Sequence, residues 1–419
     1  MKQQLLKALF MCMAVAFLPQ VARAAGDVEI NAKNFPDENF RNYLLQQDYG
    51  KDGKLTEEEI KDITSLDVPY KRINSLQGIE YFTALTELNC VYNQLTSLDV
   101  SKNIALTELN CGYNSLTSLD VSKNTALTGL WCGENQLTSL DVSKNTALTG
   151  LFCYKNQLTA LDVLKNTALT ELNCVYNSLT SLDVSKNTAL TELYCGSNPL
   201  TVLDVSKNTA LSKLDCYDNQ LTALDVSMNT ALTRLYCTSN QLTSLDVSKN
   251  TALTGLFCYN NQLTSLDVSK NTALTELWCY NNQLTSLDVS KNTALTELYC
   301  SVNQIKGASM DNLINSLPIN NTDKPSKFYV YDTQSSDEGN VCTKKQVQVA
   351  KGKGWKVYYY DYSEWNWLEY EGSDDTSSVA DGIKTEAGKD APVYNLRGER
   401  LTAPQKGVNI IGGRKVVVK

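Results

Sequence analysis

Histidine is absent from all 419 residues. That removes, in one stroke, the commonest general acid–base side chain near neutral pH and the commonest metal ligand. Also missing are a Ser/His or Cys/His pair, a glycine-rich phosphate loop, metal-ligand spacing and a separate catalytic domain. No Lys/Arg-rich block offsets the formal charge of −8, so nucleic acid and anionic membrane are poor partners. A carboxylate pair could still do acid–base work, but nothing in the sequence singles one out. These absences point away from an enzyme and give no reason to expect an organic cofactor.

The chain opens on a segment that is not part of the fold. Lys2 and Lys7 precede the apolar run from Ala8 to Leu18, and Ala22-Arg23-Ala24 follows. This is the pattern of a secretory signal peptide cleaved after residue 24. The run is shorter than the ~20 apolar residues of a membrane-spanning helix, and no later segment is apolar enough, so no transmembrane segment is expected in the mature chain. Cys12 lies inside the apolar run behind Phe10 and Met11, which argues against lipidation. Losing Lys2, Lys7 and Arg23 takes the mature charge to −11. The expected location is outside the cell, secreted or attached to the outer surface.

The chain is then dominated by one repeat. Cys90, Cys111, Cys132, Cys153, Cys174, Cys195, Cys216, Cys237, Cys258, Cys279 and Cys300 are each 21 residues apart. Each unit reads close to A-L-T-x-L-x-C-x-x-N-x-L-T-x-L-D-V-S-K-N-T. Leucines and cysteine alternate with variable residues, as in a strand with one buried face. One unit cannot bury its apolar side alone, whereas stacked units can. The Asn93, Asn114, Asn135 column falls at the corner after each strand, where its amide can satisfy backbone groups left unpaired by the bend. The Leu-Asp-Val-Ser-Lys-Asn half is also apolar at alternate positions and predicts a turn-rich or short-strand return.

Leu127, Leu130, Cys132, Asn135 and Leu137 spell L-x-x-L-x-L-x-x-N-x-L, with cysteine in the third leucine slot. Over residues 63–300 the chain resembles the leucine-rich repeat family in its short bacterial, internalin-like form. The resemblance implies a repeat solenoid with short parallel strands on the concave face and a turn-rich convex side. A small helical N-terminal cap and a βαβ-like C-terminal cap would close its ends.

Two residue columns allow competing readings. Cysteines in an exported chain commonly form disulfides; here each fills an inward slot once per rung, which favours a ladder of buried free thiols over bridges. The Asp99/Lys102 and Asp120/Lys123 columns could suggest a calcium ladder. A turn-capping Asp beside a charge-balancing Lys is the preferred reading.

Residues 25–62 are expected to form the N-terminal cap. Phe35, Phe40, Tyr43 and Leu44 have helical spacing after Asn34 and Pro36. The stretch that follows resembles an EF-hand loop, with Asp48 at position 1, Asp52 at 5, Gly53 at 6, Thr56 at 9 and Glu59 at 12. Gly50 stands where a third ligand belongs. Asp48, Asp52, Lys54, Thr56 and Glu59 are the candidate set for a weak Ca²⁺ site; a plain loop between two short helices is the other reading. Residues 63–84 read as an atypical first repeat with Val68 in the cysteine slot.

After Cys300 the period breaks, and residues 301–370 are expected to cap the array. A helix is expected through Met310, Leu313, Ile314 and Leu317, stopping at Pro318; a strand at Phe328–Tyr331, a helix over 343–353 and a strand at Trp355–Tyr360 should follow, with Cys342 isolated. Residues 371–390 read as a polar linker. Residues 391–419 resemble the end of type IX secretion sorting tails, implying export by that route; a small hairpin extension is the alternative.

Variation among the units clusters around the cysteine, on side chains expected to point outward. Trp131, Phe152, Tyr154, Tyr194, Tyr217, Tyr236, Phe257, Tyr259, Trp278, Tyr280 and Tyr299 would form a solvent-facing stripe on the concave face. Glu192, Lys213, Arg234 and Glu276 would stand beside it. Exposed contiguous apolar surface usually marks an interaction site, and Trp and Tyr are enriched in binding hot spots. The expected function is a non-enzymatic surface protein that binds or adheres to a protein ligand, host or microbial. A glycan ligand on the same stripe and a passive surface spacer are the alternatives. Ring stacking along a ladder also stabilises the rungs themselves.

Overall fold

A computed structural model of the chain describes residues 26–361 and 366–374, with four further short strands between 393 and 418. The expected leader, most of the linker and parts of the tail fall outside the described residues. Strand β1 (Val28–Glu29) pairs antiparallel with β2 (Lys54–Leu55), flanking helix α1 (Glu38–Gln46). Asp37 caps α1 by accepting the Phe40 N–H. Helix α2 (Glu57–Asp62) starts with a reciprocal capping box between Thr56 and Glu59. Phe35, Phe40 and Leu44 are fully buried, and the Phe35 ring meets Phe40 edge-on at 5.8 Å.

β3 (Ser65–Asp67) begins a fifteen-stranded sheet. Eleven three-residue strands follow, one per 21-residue unit, from β4 (Glu87–Asn89) to β14 (Glu297–Tyr299). All are parallel and in register, so Leu235 lies opposite Leu256 and Leu256 opposite Leu277. The chain is a repeat solenoid, and its core is a continuous stack of Leu, Val and Cys side chains. At the far end come α3 (Ala308–Ser316), β15 (Ser326–Asp332), α4 (Lys344–Gly352) and β16 (Trp355–Asp361), with α4 packed on β16 and α3 on α4. β15 and β16 continue the parallel sheet, and β17 (Asn366–Glu369) ends it antiparallel. Strands β18 (Val393–Asn395), β19 (Arg400–Leu401), β20 (Gly407–Ile411) and β21 (Arg414–Val418) form a separate four-stranded antiparallel sheet.

The cysteines of the ladder are free and fully buried. Burial pushes the thiols up, Cys111 and Cys153 to about 12, so they stay protonated and behave as small apolar side chains.

The corner after each strand explains the invariant asparagine. The second residue after every ladder cysteine, from Tyr92 to Val302, is left-handed, with φ between 48° and 56°. None of these is glycine, and such a backbone costs an ordinary residue about 1–2 kcal/mol. The next residue ties the corner down. Asn240 Nδ2 donates to the carbonyls of Cys216, Cys237 and Thr238, and its Oδ1 accepts the Leu221 N–H at 3.0 Å.

A second asparagine column, Asn103 to Asn292, is buried on the return side. Asn250 Nδ2 donates to the carbonyls of Val226 and Asn229, both at 2.9 Å, while its Oδ1 has no partner. The Asp column caps the turn before it: Asp246 accepts the Ser248 N–H at 2.8 Å, which holds its carboxyl below the usual range. Lys249 makes no ion pair with it within 4 Å.

Candidate functional site: the concave face

On each rung the middle strand residue and the cysteine point into the core. The first and third strand residues and the residue after cysteine face the concave side. Because the strands are in exact one-to-one register, a side chain on one rung meets its counterpart on the next, about 4.8 Å away.

Aromatic residues in the third position therefore stack. Tyr236 and Phe257 lie 4.3 Å apart with planes 3° from parallel. Phe257 meets Trp278 edge-on at 5.1 Å, and Trp278 lies 4.5 Å from Tyr299. The ladder does not stop with the repeats. Tyr329 on β15 stacks on Tyr299 at 3.8 Å, Tyr358 on β16 continues it at 4.9 Å, and Trp367 on β17 packs edge-on against Tyr329 at 4.7 Å. Sequence reasoning ended the stripe at Tyr299 because the 21-residue period breaks there. Phe328 fills the inward leucine slot opposite Leu298, which places Tyr329 outward; that alternation was the available signal.

All eleven rings expected on this face are on it, and ten are half-buried. Phe257 departs from the expectation of an outward, solvent-facing ring: it is only 4% exposed. It is packed between Tyr236 and Trp278 and lies over Gly255, where an added Cβ would come within 2.8 Å of the ring. The same device recurs. Trp131 lies over Gly129 and Phe152 over Gly150, and these two rings stack at 5.3 Å with planes 6° apart. Glycine in the first strand position lets the ring two residues later fold flat along the strand. Tyr259 and Tyr280, in the column after cysteine, stack at 4.3 Å.

The stripe is interrupted. Asn173 separates Phe152 from Tyr194, and Asp215 separates Tyr194 from Tyr236. Burial among these rings pushes the Asp215 carboxyl up to about 6; its Oδ1 accepts the Tyr217 N–H at 3.3 Å. Beside it the Lys213 ammonium sits 4.7 Å over the Tyr194 ring, and the Tyr194 hydroxyl donates to Glu192. Tyr92, overlooked from sequence because it occupies the left-handed corner, stacks with Tyr70 at 4.4 Å and Tyr113 at 4.0 Å.

Charge is distributed unevenly along the face. Toward the C-terminal end each concave glutamate has a cation: Arg234 for Glu276 at 3.3 Å and Lys327 for Glu297 at 2.8 Å. Toward the N-terminal end Asp67, Glu87, Glu108 and Glu171 have none within 4 Å among the described residues. Burial, and then the neighbouring Glu192, push the Glu171 carboxyl up.

The EF-hand-like loop is used differently. Asp48 pairs with Lys51, Asp52 accepts the Lys54 N–H, and the Glu59 carboxylate receives both the N–H and the hydroxyl of Thr56. Among the described residues no three His, Cys, Asp or Glu side chains come together to hold a metal. Glu59 is thus engaged in capping α2.

Comparison with known proteins places this geometry. A family model described as Leucine Rich repeats (2 copies) matches residues 251–292. Internalin J of Listeria monocytogenes is 46% identical over 70 residues, 16% of this chain and 8% of that protein; the chain thus matches only a small part of that relative's length. The solved functional domain of InlJ from the same organism, which includes a cysteine ladder, is 34% identical with a TM-score of 0.52. That match covers 74% of this chain and 82% of the other. A crystal structure of an internalin, inlF, from L. monocytogenes superposes with a TM-score of 0.65 at 25% identity, over 76% of this chain and 93% of the other.

Proposed function

Since this chain belongs to the internalin-like leucine-rich repeat proteins, we propose that it is an exported surface protein that binds a protein ligand on its concave face and catalyses no reaction. The observation that carries this reading is the aromatic ladder from Tyr236 to Tyr358, continuous from the repeats into the C-terminal cap. A cap that served only to close the core would need apolar side chains inward; the half-buried Tyr358 and Trp367 extend the concave face instead, packed against a Tyr329 that is itself only 6% exposed. Export follows from the leader pattern before residue 25 and from the sorting-type tail. Among the described residues no helix is long and apolar enough to cross a membrane.

Ring orientation favours protein over glycan. A sugar stacks on an open aromatic face, but the Tyr236–Phe257 and Tyr299–Tyr329 pairs turn their faces to one another. Phe257 and Tyr329 are only 4% and 6% exposed, so the half-buried edges of Tyr236 and Tyr299 are what these pairs leave for a ligand, which suits the contacts of protein hot spots. The test is capture of partners on the immobilised chain, with and without calcium, beside a variant carrying Trp131→Ala, Tyr236→Ala and Trp278→Ala. A partner held by the wild type and lost by the variant is the expected result. Undiminished capture by a correctly folded variant would refute the assignment of the face.

A further inference from the structure

Two adjoining hollows occupy the N-terminal half of the concave face. Asp67, Glu87, Glu108, Asn89, Asn110 and Trp131 line an open cavity of about 490 Å³. A second, of about 210 Å³, shares Glu108 and Trp131 and runs on to Phe152 and Glu171. The volume of the first lies within the ~300–1,000 Å³ of small-ligand sites, enough for one or two side chains rather than a folded loop.

The walls are of unlike kinds. Trp131 gives one ring face to Phe152 on the following rung. Its other face turns to the preceding rung, where Asn110 lies in register and the larger cavity opens. The two carboxamides are partly engaged: Asn89 donates to Asp67 at 2.7 Å, and Asn110 Oδ1 accepts the Gly112 N–H. The carboxylates of Asp67, Glu87 and Glu108 have no cation among the described residues, in contrast to Glu276 and Glu297 at the other end. This row of like charges beside an open indole face is complementary to a cation.

We propose that this groove docks a basic segment of the protein ligand, with a lysine or arginine head entering the Asp67–Glu87–Glu108 cavity against the open face of Trp131. The inference rests on the protein-binding reading and names the chemistry of the partner: cationic, and extended along the solenoid axis. A guanidinium gains most, since it stacks on the indole while its N–H groups serve the carboxylates. Phosphate and other anions are repelled by the same groups.

The probe is a fluorescein-labelled decapeptide of alternating Arg and Gly, titrated against the full chain by fluorescence polarisation. Its citrulline counterpart keeps the shape and removes the charge. The arginine peptide should bind at least about tenfold more tightly than the citrulline peptide, and a Glu87→Gln/Glu108→Gln variant should lose about tenfold. Trp131→Leu should weaken binding as well, and Glu276→Gln, at the paired end, should leave it unchanged. Circular dichroism melts of each variant separate a lost contact from a lost fold. Equal binding of the citrulline peptide, displacement by neutral maltohexaose, or an equal loss in Glu276→Gln would overturn the proposal. If the partner-capture experiment succeeds while the arginine peptide fails to bind, this inference falls and the concave-face reading stands.

Discussion

The two asparagine columns look alike in sequence but should not be equally costly to remove. Asn240→Ala deletes three donations to backbone carbonyls and the acceptor of the buried Leu221 N–H. A hydrogen bond contributes about 0.5–1.5 kcal/mol net, and a buried donor left without an acceptor costs about 1–3 kcal/mol. The expected loss is therefore about 3–5 kcal/mol. Asn250→Ala deletes two donations and at the same time removes an Oδ1 that has no partner. Its loss should be about 1–3 kcal/mol, with a cavity of similar size in both variants. Urea unfolding followed by far-ultraviolet circular dichroism measures both, and the comparison is robust because the two residues sit on opposite sides of the same turn of the array. If Asn250→Ala costs as much as Asn240→Ala, the orphaned oxygen is satisfied in solution and the reasoning from partners fails.

Two further perturbations test other parts of the structure. Leu256 is fully buried between Leu235 and Leu277, so Leu256→Ala should cost about 2–5 kcal/mol in the same unfolding assay, whereas exposed Lys249→Ala should be nearly silent; equal effects would reverse the inside–outside assignment. Asp215, with its carboxyl raised to about 6, binds a proton more tightly when folded than when unfolded. Stability should therefore fall as pH rises from about 4 through 6, by up to about 3 kcal/mol, and Asp215→Asn should flatten that slope and stabilise the chain at pH 7. A pH profile of the melting temperature unaltered by the substitution would refute this.

Much of the architecture was legible because a 21-residue period with apolar alternation permits only one inside. Leu130 and Cys132 had to face inward together, and parallel in-register stacking followed from the identity of the units. The candidate face was legible only in part. Outwardness could be read at Phe257, but its burial could not, since that depends on Gly255 and on rings one rung away on either side. Tyr329 and Tyr358 escaped because the sheet continues after the repeat has ended: register survives where periodicity does not. The left-handed corner at Tyr92, Lys155 or Val302 was invisible because no glycine marks it. The ties from the following asparagine replace that sequence signal with a tertiary one.

The one-to-one register along the sheet has a consequence for how such a chain changes over generations. Nearly every bond between rungs joins residues 19 to 24 positions apart, each to an equivalent group on the neighbouring turn. Deleting 21 residues, for instance 241–261, would present each donor with the same acceptor from one turn further on. The core would close over the gap, and Tyr236 would meet Trp278 in place of Phe257. Unequal recombination between near-identical coding units would thus shorten or lengthen the protein by about 4.8 Å at a time without disturbing its folding, while shuffling which rings and charges stand side by side. Length and ligand preference could drift together on a scaffold whose packing does not change.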